Sequence, residues 1–273
     1  MKKILLLATA IALILISCKD TAPEETTLLG IATPFYRGQS LYKGKLKSMK
    51  VRTYWAKEVD GKIEKGDIIS RVERDSLNYM SDWNLELDEN GLPTRLEYIM
   101  YDGKINHWEN LIEDKKIVKR IFFRNGEPIN DIKPRHDETG LITESKNYRS
   151  GIDTLLGHSN WTYHENGNLD RVYYYNYLDK MYATDEFIWK NEDQVSEYRR
   201  YNGDDELVYT MKMEYDEDGD FVSMTFDYPG VRHTKYEYKD IKYDEMGNMV
   251  SGVAYKNDSL FSITDYLIEY YQE

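Results

Sequence analysis

His158 and His164 flank Trp161 six residues apart, a spacing that puts both imidazoles on one side of an extended strand, where they could begin a metal site. No third ligand stands at a recognised distance from them, so surface or turn positions explain the pair as well, and no metal is assigned. Asp216-Glu-Asp-Gly-Asp220 has the opening shape of a calcium loop but lacks the later bidentate glutamate and the flanking helices. A turn with glycine at positive φ accounts for the same residues. Among 49 acidic residues, coincidental carboxylate pairs are inevitable, and none stands out for glycoside hydrolysis. There is no His-Glu-x-x-His, no phosphate-cradling glycine loop and no Gly-x-Ser-x-Gly. The expectation is a protein without catalytic residues or cofactors.

Tyr173, Tyr174 and Tyr175 are consecutive, with Tyr177 and Tyr182 close behind. Three consecutive residues of a strand place at least one ring on each face, so not all can be core. Exposed tyrosines favour protein interfaces, and their ring faces pack on sugars, which makes these five a candidate contact surface. The alternative is a ladder with tyrosines of neighbouring strands that stabilises a thin sheet.

The elements that carry these residues are set by turns. Leu87-Asp-Glu-Asn-Gly91, His136-Asp-Glu-Thr-Gly140, Tyr163-His-Glu-Asn-Gly167, Tyr215-Asp-Glu-Asp-Gly219 and Tyr243-Asp-Glu-Met-Gly247 share one pattern. Two of the intervals are near double the others, which points to degenerate copies at Glu113-Asp-Lys-Lys116 and Asn191-Glu-Asp193 and a period of about 26 residues. Second turns fall midway, at Tyr101-Asp-Gly103, Arg124-Asn-Gly126, Arg149-Ser-Gly151, Leu178-Asp179, Tyr201-Asn-Gly203, Tyr228-Pro-Gly230 and Asn257-Asp258. Asn-Gly and Asp-Gly between alternating segments are strong hairpin signals. Fourteen turns imply fifteen consecutive strands.

Register follows from keeping apolar residues together, since a one-residue slip would bury charge. Pairing Tyr215 with Asp220 sets Met213 against Val222, Met211 against Met224 and Tyr209 against Phe226. A two-residue Asn202-Gly203 turn sets Arg200 against Asp205, Arg199 against Glu206 and Tyr198 against Leu207. The hairpin from 161 to 172 fits poorly, with Trp161 opposite Asp170, so bulges are expected.

The predicted fold class is all-β, an antiparallel meander of repeated β-hairpins. With 25 tyrosines suited to half-buried faces, an elongated or curled sheet is favoured over a deep sandwich. The period is too short for a propeller blade. A membrane barrel needs a continuous lipid-facing apolar band, which Glu197 and the adjoining arginines interrupt. Residues 31–82, with turns at Tyr42-Lys-Gly44, Val59-Asp-Gly61 and Arg74-Asp-Ser76, read as a divergent start or cap of the 31–273 repeat domain, the charged Lys43 to Lys50 region covering an edge.

At the start of the chain, Lys2 and Lys3 precede an apolar run from Ile4 to Ile16 that is too short for a spanning helix, which needs about 20 residues. Leu15-Ile-Ser-Cys18 resembles the lipobox of bacterial lipoproteins, which implies removal of residues 1–17 and acylation of Cys18, the only cysteine. Two or more acyl chains hold a protein firmly to a bilayer. Residues 18–30 then form the lipidated cysteine and a flexible linker. Asp20, Glu24 and Glu25 resemble the export signal that sends Bacteroidetes lipoproteins to the cell surface. Without Lys2 and Lys3 the formal charge of −13 becomes −15, which disfavours nucleic-acid binding.

The Tyr-Asp-Glu-x-Gly segments at 215–219 and 243–247 resemble the YD repeats of Rhs-type proteins, whose strands wind into a β-sheet shell. Asp102-Gly-Lys-Ile-Asn-His-Trp108 is similar to MORN-like repeats, some of which belong to antitoxins. These resemblances imply architecture. The expected function is that of a lipid-anchored, outer-membrane or surface lipoprotein, a non-enzymatic binding or structural protein with a protein or glycan partner. The alternatives are an immunity or antitoxin-type lipoprotein that neutralises a toxin and, third, an unrecognised hydrolase.

Overall fold

The computed structural model describes residues 44–69, 82–99, 105–192, 194–217 and 219–272. Cys18, the apolar leader and the linker lie outside them, as do the turns expected at Tyr101-Asp-Gly103 and Arg74-Asp-Ser76. All regular structure among the described residues is β. The strands are β1 (Leu46–Val59), β2 (Lys62–Ile68), β3 (Trp83–Leu87), β4 (Pro93–Ile99), β5 (Ile105–Glu113) and β6 (Lys116–Arg124). Then follow β7 (Glu127–His136), β8 (Ile142–Arg149), β9 (Leu155–Tyr163), β10 (Leu169–Asn176), β11 (Met181–Trp189) and β12 (Val195–Asn202). The last are β13 (Leu207–Tyr215), β14 (Phe221–Tyr228), β15 (Arg232–Tyr243), β16 (Met249–Lys256) and β17 (Ser259–Tyr270).

Two kinds of turn punctuate them. Asp60-Gly61, Asp114-Lys115, Asn125-Gly126 and Asn257-Asp258 are tight hairpins with both residues at positive φ. The Asp-x-x-Gly segments are five-residue loops capped by their first side chain. Asp88 Oδ1 accepts the amides of Asn90 and Leu92, each at 2.9 Å, and Asp244 Oδ1 those of Met246 and Asn248, at 3.0 and 2.8 Å. Asp216 accepts the Asp220 amide at 2.8 Å, and Gly219 has φ 89°, so turn chemistry explains the calcium-like segment. Asn202 caps a loop of the same kind, with Asp205 rather than Gly203 at positive φ.

From β3 to β17 the fifteen strands pair antiparallel with their sequence neighbours, as a meander should. The curled or elongated sheet is a correction: the sheet closes. β1 pairs with β17 from Leu46 opposite Tyr270 to Trp55 opposite Ser262, and with β3 from Ser48 opposite Glu86 to Val51 opposite Trp83. Sixteen strands therefore make a barrel, and β2 pairs with the far half of β1 to form a hairpin outside the ring. The segment read as a cap supplies the closing strand. Closure removes the unpaired edges that a cap would otherwise have to cover.

Register keeps the expected faces but not the expected partners. Met213 stands opposite Met224 and Met211 opposite Phe226, two residues from the expected pairing, because a bulge falls between Glu214 and Tyr215. Tyr198 stands opposite Met211 rather than Leu207, because the loop after Asn202 is longer than a two-residue turn. Trp161 meets Val172, with the anticipated bulge beside Leu169. Each shift is even, so side chains remain on their faces.

A closed sheet crowds the side chains on its concave side, so the face that carries the buried residues is the inner wall. Tyr236, Phe122, Met49, Leu85 and Val172 are fully buried there, and Leu46, Met49, Val51, Leu85 and Leu87 cluster where the barrel closes. The outer wall carries cross-strand ion pairs. Arg95 meets Glu97 and Glu109, Lys119 meets Asp131, Arg135 meets Glu144, and Lys235 and Lys239 meet Glu237. Glu186 lies between Arg171 and Arg199, and Arg199 also holds Glu197 at 2.6 Å. Pairs of this half-exposed kind contribute about 0.2–1 kcal/mol each, so they matter more for the medium they require than for stability.

Candidate functional site

Strand alternation sends Asp185 inward and Glu186 outward from adjacent positions on β11. On β12 their ladder partners are Arg200 and Arg199. The inward carboxylate has no exposure, and burying it unpaired would be prohibitive. It is instead surrounded by donors. The Tyr198 hydroxyl donates to Oδ1 at 2.7 Å, the Tyr174 hydroxyl to Oδ2 at 2.9 Å, and Arg200 Nη1 stands 3.3 Å from Oδ1. The Arg200 guanidinium also lies 5.7 Å from the centre of the Tyr174 ring.

Aromatic contacts extend this cluster around the wall. Phe187 packs edge-on to Tyr198, Tyr198 on Tyr209, and Tyr209 stacks with Tyr228 at 5.2 Å. Burial pushes the Asp185 carboxyl up, against the pull of Arg200 and the two phenols. Burial likewise raises Tyr174 and Tyr198 well above the usual phenol range, with the Asp185 charge adding to it, and pushes Tyr209 up to about 12. These phenols remain protonated donors at neutral pH. The cluster is a buried hydrogen-bonding wall.

A second buried polar group lies on β5 and β6. Arg120 donates through Nε to Asn110 Oδ1 at 2.8 Å and lies 5.5 Å from the Trp108 ring, and burial lowers its pKa.

The five tyrosines divide between the faces. Tyr174 faces inward and packs near Tyr182 at 6.1 Å, Tyr173 and Tyr175 face outward, and Tyr177 is exposed in the loop after β10. His158 stacks on Tyr175 at 4.6 Å with its Nε2 3.5 Å from Asp179. His164 opens the next loop, 3.7 Å from Asp170. The two histidines thus have separate partners, and among the described residues no three metal-ligating side chains converge. Asp185, Tyr198, Arg200 and Tyr209 escaped sequence reasoning. Their signal was the matched doublets Asp185-Glu186 and Arg199-Arg200, one on each of two successive strands.

No protein-family model matches the chain, and no curated protein sequence matches it. Among solved structures, a porin-like protein from Bacteroides uniformis aligns over 83% of this chain and 98% of its own at 9% identity, with a TM-score of 0.51. A porin-like protein from Bacteroides vulgatus aligns over 85% of this chain and 100% of its own, also at 9% identity, with a TM-score of 0.35. The likeness to the first is one of fold.

Proposed function

We propose that this chain is a lipid-tethered barrel of the cell envelope that stands in water and binds a ligand or partner without catalysing a reaction. The observation that carries this reading is the outer wall of ion pairs around a closed barrel. At the midplane of a bilayer each outward arginine or lysine costs about 2–4 kcal/mol. Arg95, Lys119, Arg171, Arg199 and Lys235 lie on that wall, together with their carboxylate partners. In water the same pairs are mildly favourable. The barrel then needs another means of staying at a membrane, and an acylated Cys18 supplies it. The porin-like fold neighbour supports an envelope setting.

The test compares wild type with a Cys18→Ala chain that carries a cleavable export signal in place of residues 1–17. Wild type should sediment with membranes and incorporate labelled palmitate. The variant should be released as a folded β-protein without detergent. A variant that still requires detergent would overturn the reading.

A further inference from the structure

The protein has a formal charge of −13, yet cations line one part of its inner wall. Arg232 opens β15 opposite Tyr228, and Lys256 ends β16 opposite Tyr236. Tyr236 is fully buried on the inner wall, and alternation along β15 puts Arg232 on the same face. Arg232 lies 4.7 Å from the Tyr228 ring centre. Lys256 lies 5.9 Å from that of Tyr236 and 5.5 Å from that of Phe261. Phe261 is the bulged residue of β17, turned toward Tyr236 at 5.8 Å and Trp55 at 5.4 Å.

Neither cation forms an ion pair among the described residues, whereas Arg95, Arg171, Arg199 and Arg200 all do. Partial burial, with the Arg232 charge behind it, holds Lys256 below its ordinary pKa. Both side chains remain half-buried and reachable from water. Two like charges on one face beside aromatic rings, neither paired with a carboxylate among the described residues, gain most from an anion that neutralises them while its body lies on the accessible Tyr228 ring.

We infer that Arg232 and Lys256, with the half-buried Tyr228 ring as the apolar contact and Tyr236 and Phe261 packed beneath Lys256, form a subsite for an organic oxyanion, a carboxylate or phosphate carried on a planar or apolar body. The subsite deepens the binding role proposed above and rests on the inner wall being open to water.

The test is titration of the acylated wild-type protein in detergent micelles with 1-naphthoate, 1-naphthyl phosphate and the uncharged 1-naphthalenemethanol, followed by calorimetry. At least one of the two anions should bind saturably, about tenfold or more tighter than the alcohol, and the tighter anion identifies the oxyanion source. Arg232→Gln and Lys256→Gln should each weaken that anion about tenfold and leave the alcohol unchanged. Lys256→Arg should retain binding, and the outward control Lys239→Gln should have no effect. Equal binding of anion and alcohol, unchanged binding in both glutamine variants with native circular dichroism, or no saturation by either anion would overturn the subsite. Selective anion binding by a barrel that proved to be embedded in lipid would overturn only the proposal that the barrel stands in water.

Discussion

Asp185 and Arg200 face each other across β11 and β12 inside the barrel, and one position along the ladder Glu186 and Arg199 repeat the pairing on the outside. The two pairs share chemistry and differ in solvent. The inner carboxylate has no exposure, while Arg199 and Arg171 reach Glu186 through side chains 36% and 42% exposed. Removing one member of a buried pair leaves an uncompensated charge, so Asp185→Ala should destabilise the fold by about 3–5 kcal/mol. Glu186→Ala should destabilise it by about 1 kcal/mol or less. Urea midpoints at constant m-value measure both.

Acid should weaken the protein. Against burial, Tyr201, Arg171 and Arg199 hold Glu186 below its ordinary 4.5, and Asn84 does the same for Glu97. A carboxyl whose folded pKa is depressed stabilises the fold above its unfolded pKa, and that stabilisation is lost as pH falls through the folded value. Asp185, raised by burial, contributes with the opposite sign, its share falling as pH rises through its folded pKa. Thermal midpoints should therefore drop between about pH 5 and pH 3, and Glu186→Gln should flatten that limb.

Among the described residues, the meander and the places of most of its turns were legible because Asp, Asn and Gly report locally on positive φ. Val59-Asp-Gly61 and Arg124-Asn-Gly126 are turns where expected. Closure was not legible, since it depends on Leu46 meeting Tyr270 across almost the whole described chain, a contact that no local signal encodes. Asp185 and Arg200 were missed for a related reason. Treating Asn202-Gly203 as a two-residue turn assigned Arg200 to Asp205 on the following strand, whereas the acid that pairs with it lies on the preceding one.

Gly157 is fixed by close approach rather than by φ. A Cβ there would stand 2.3 Å from the Tyr175 carbonyl oxygen, and the carbonyl belongs to the paired strand β10. Gly157→Ala should therefore shift backbone and destabilise by about 1–3 kcal/mol. Gly126, with nothing near its Cβ position and φ 82°, should lose only about 1 kcal/mol on the same change. Paired thermal melts of the two variants check this.

Calcium should have no effect on the Asp-x-x-Gly loops. Asp244 already caps the amides of Met246 and Asn248 and accepts the Tyr270 hydroxyl. Millimolar calcium or EDTA should leave the melting temperature unchanged, while Asp244→Ala should lower stability by about 1–3 kcal/mol. A melting temperature that rises with calcium would contradict the turn assignment.

A spin label at Lys212→Cys reports the medium around the outer wall of the barrel. Lys212 is exposed, midway along β13, between Glu197 and Thr225 on the neighbouring strands. Cys18 is the only native cysteine and is blocked once acylated, so the introduced thiol is labelled alone. In native membranes the label should relax strongly with a water-soluble nickel chelate and weakly with oxygen. Preferential relaxation by oxygen would put β13 in lipid and contradict a barrel that stands in water.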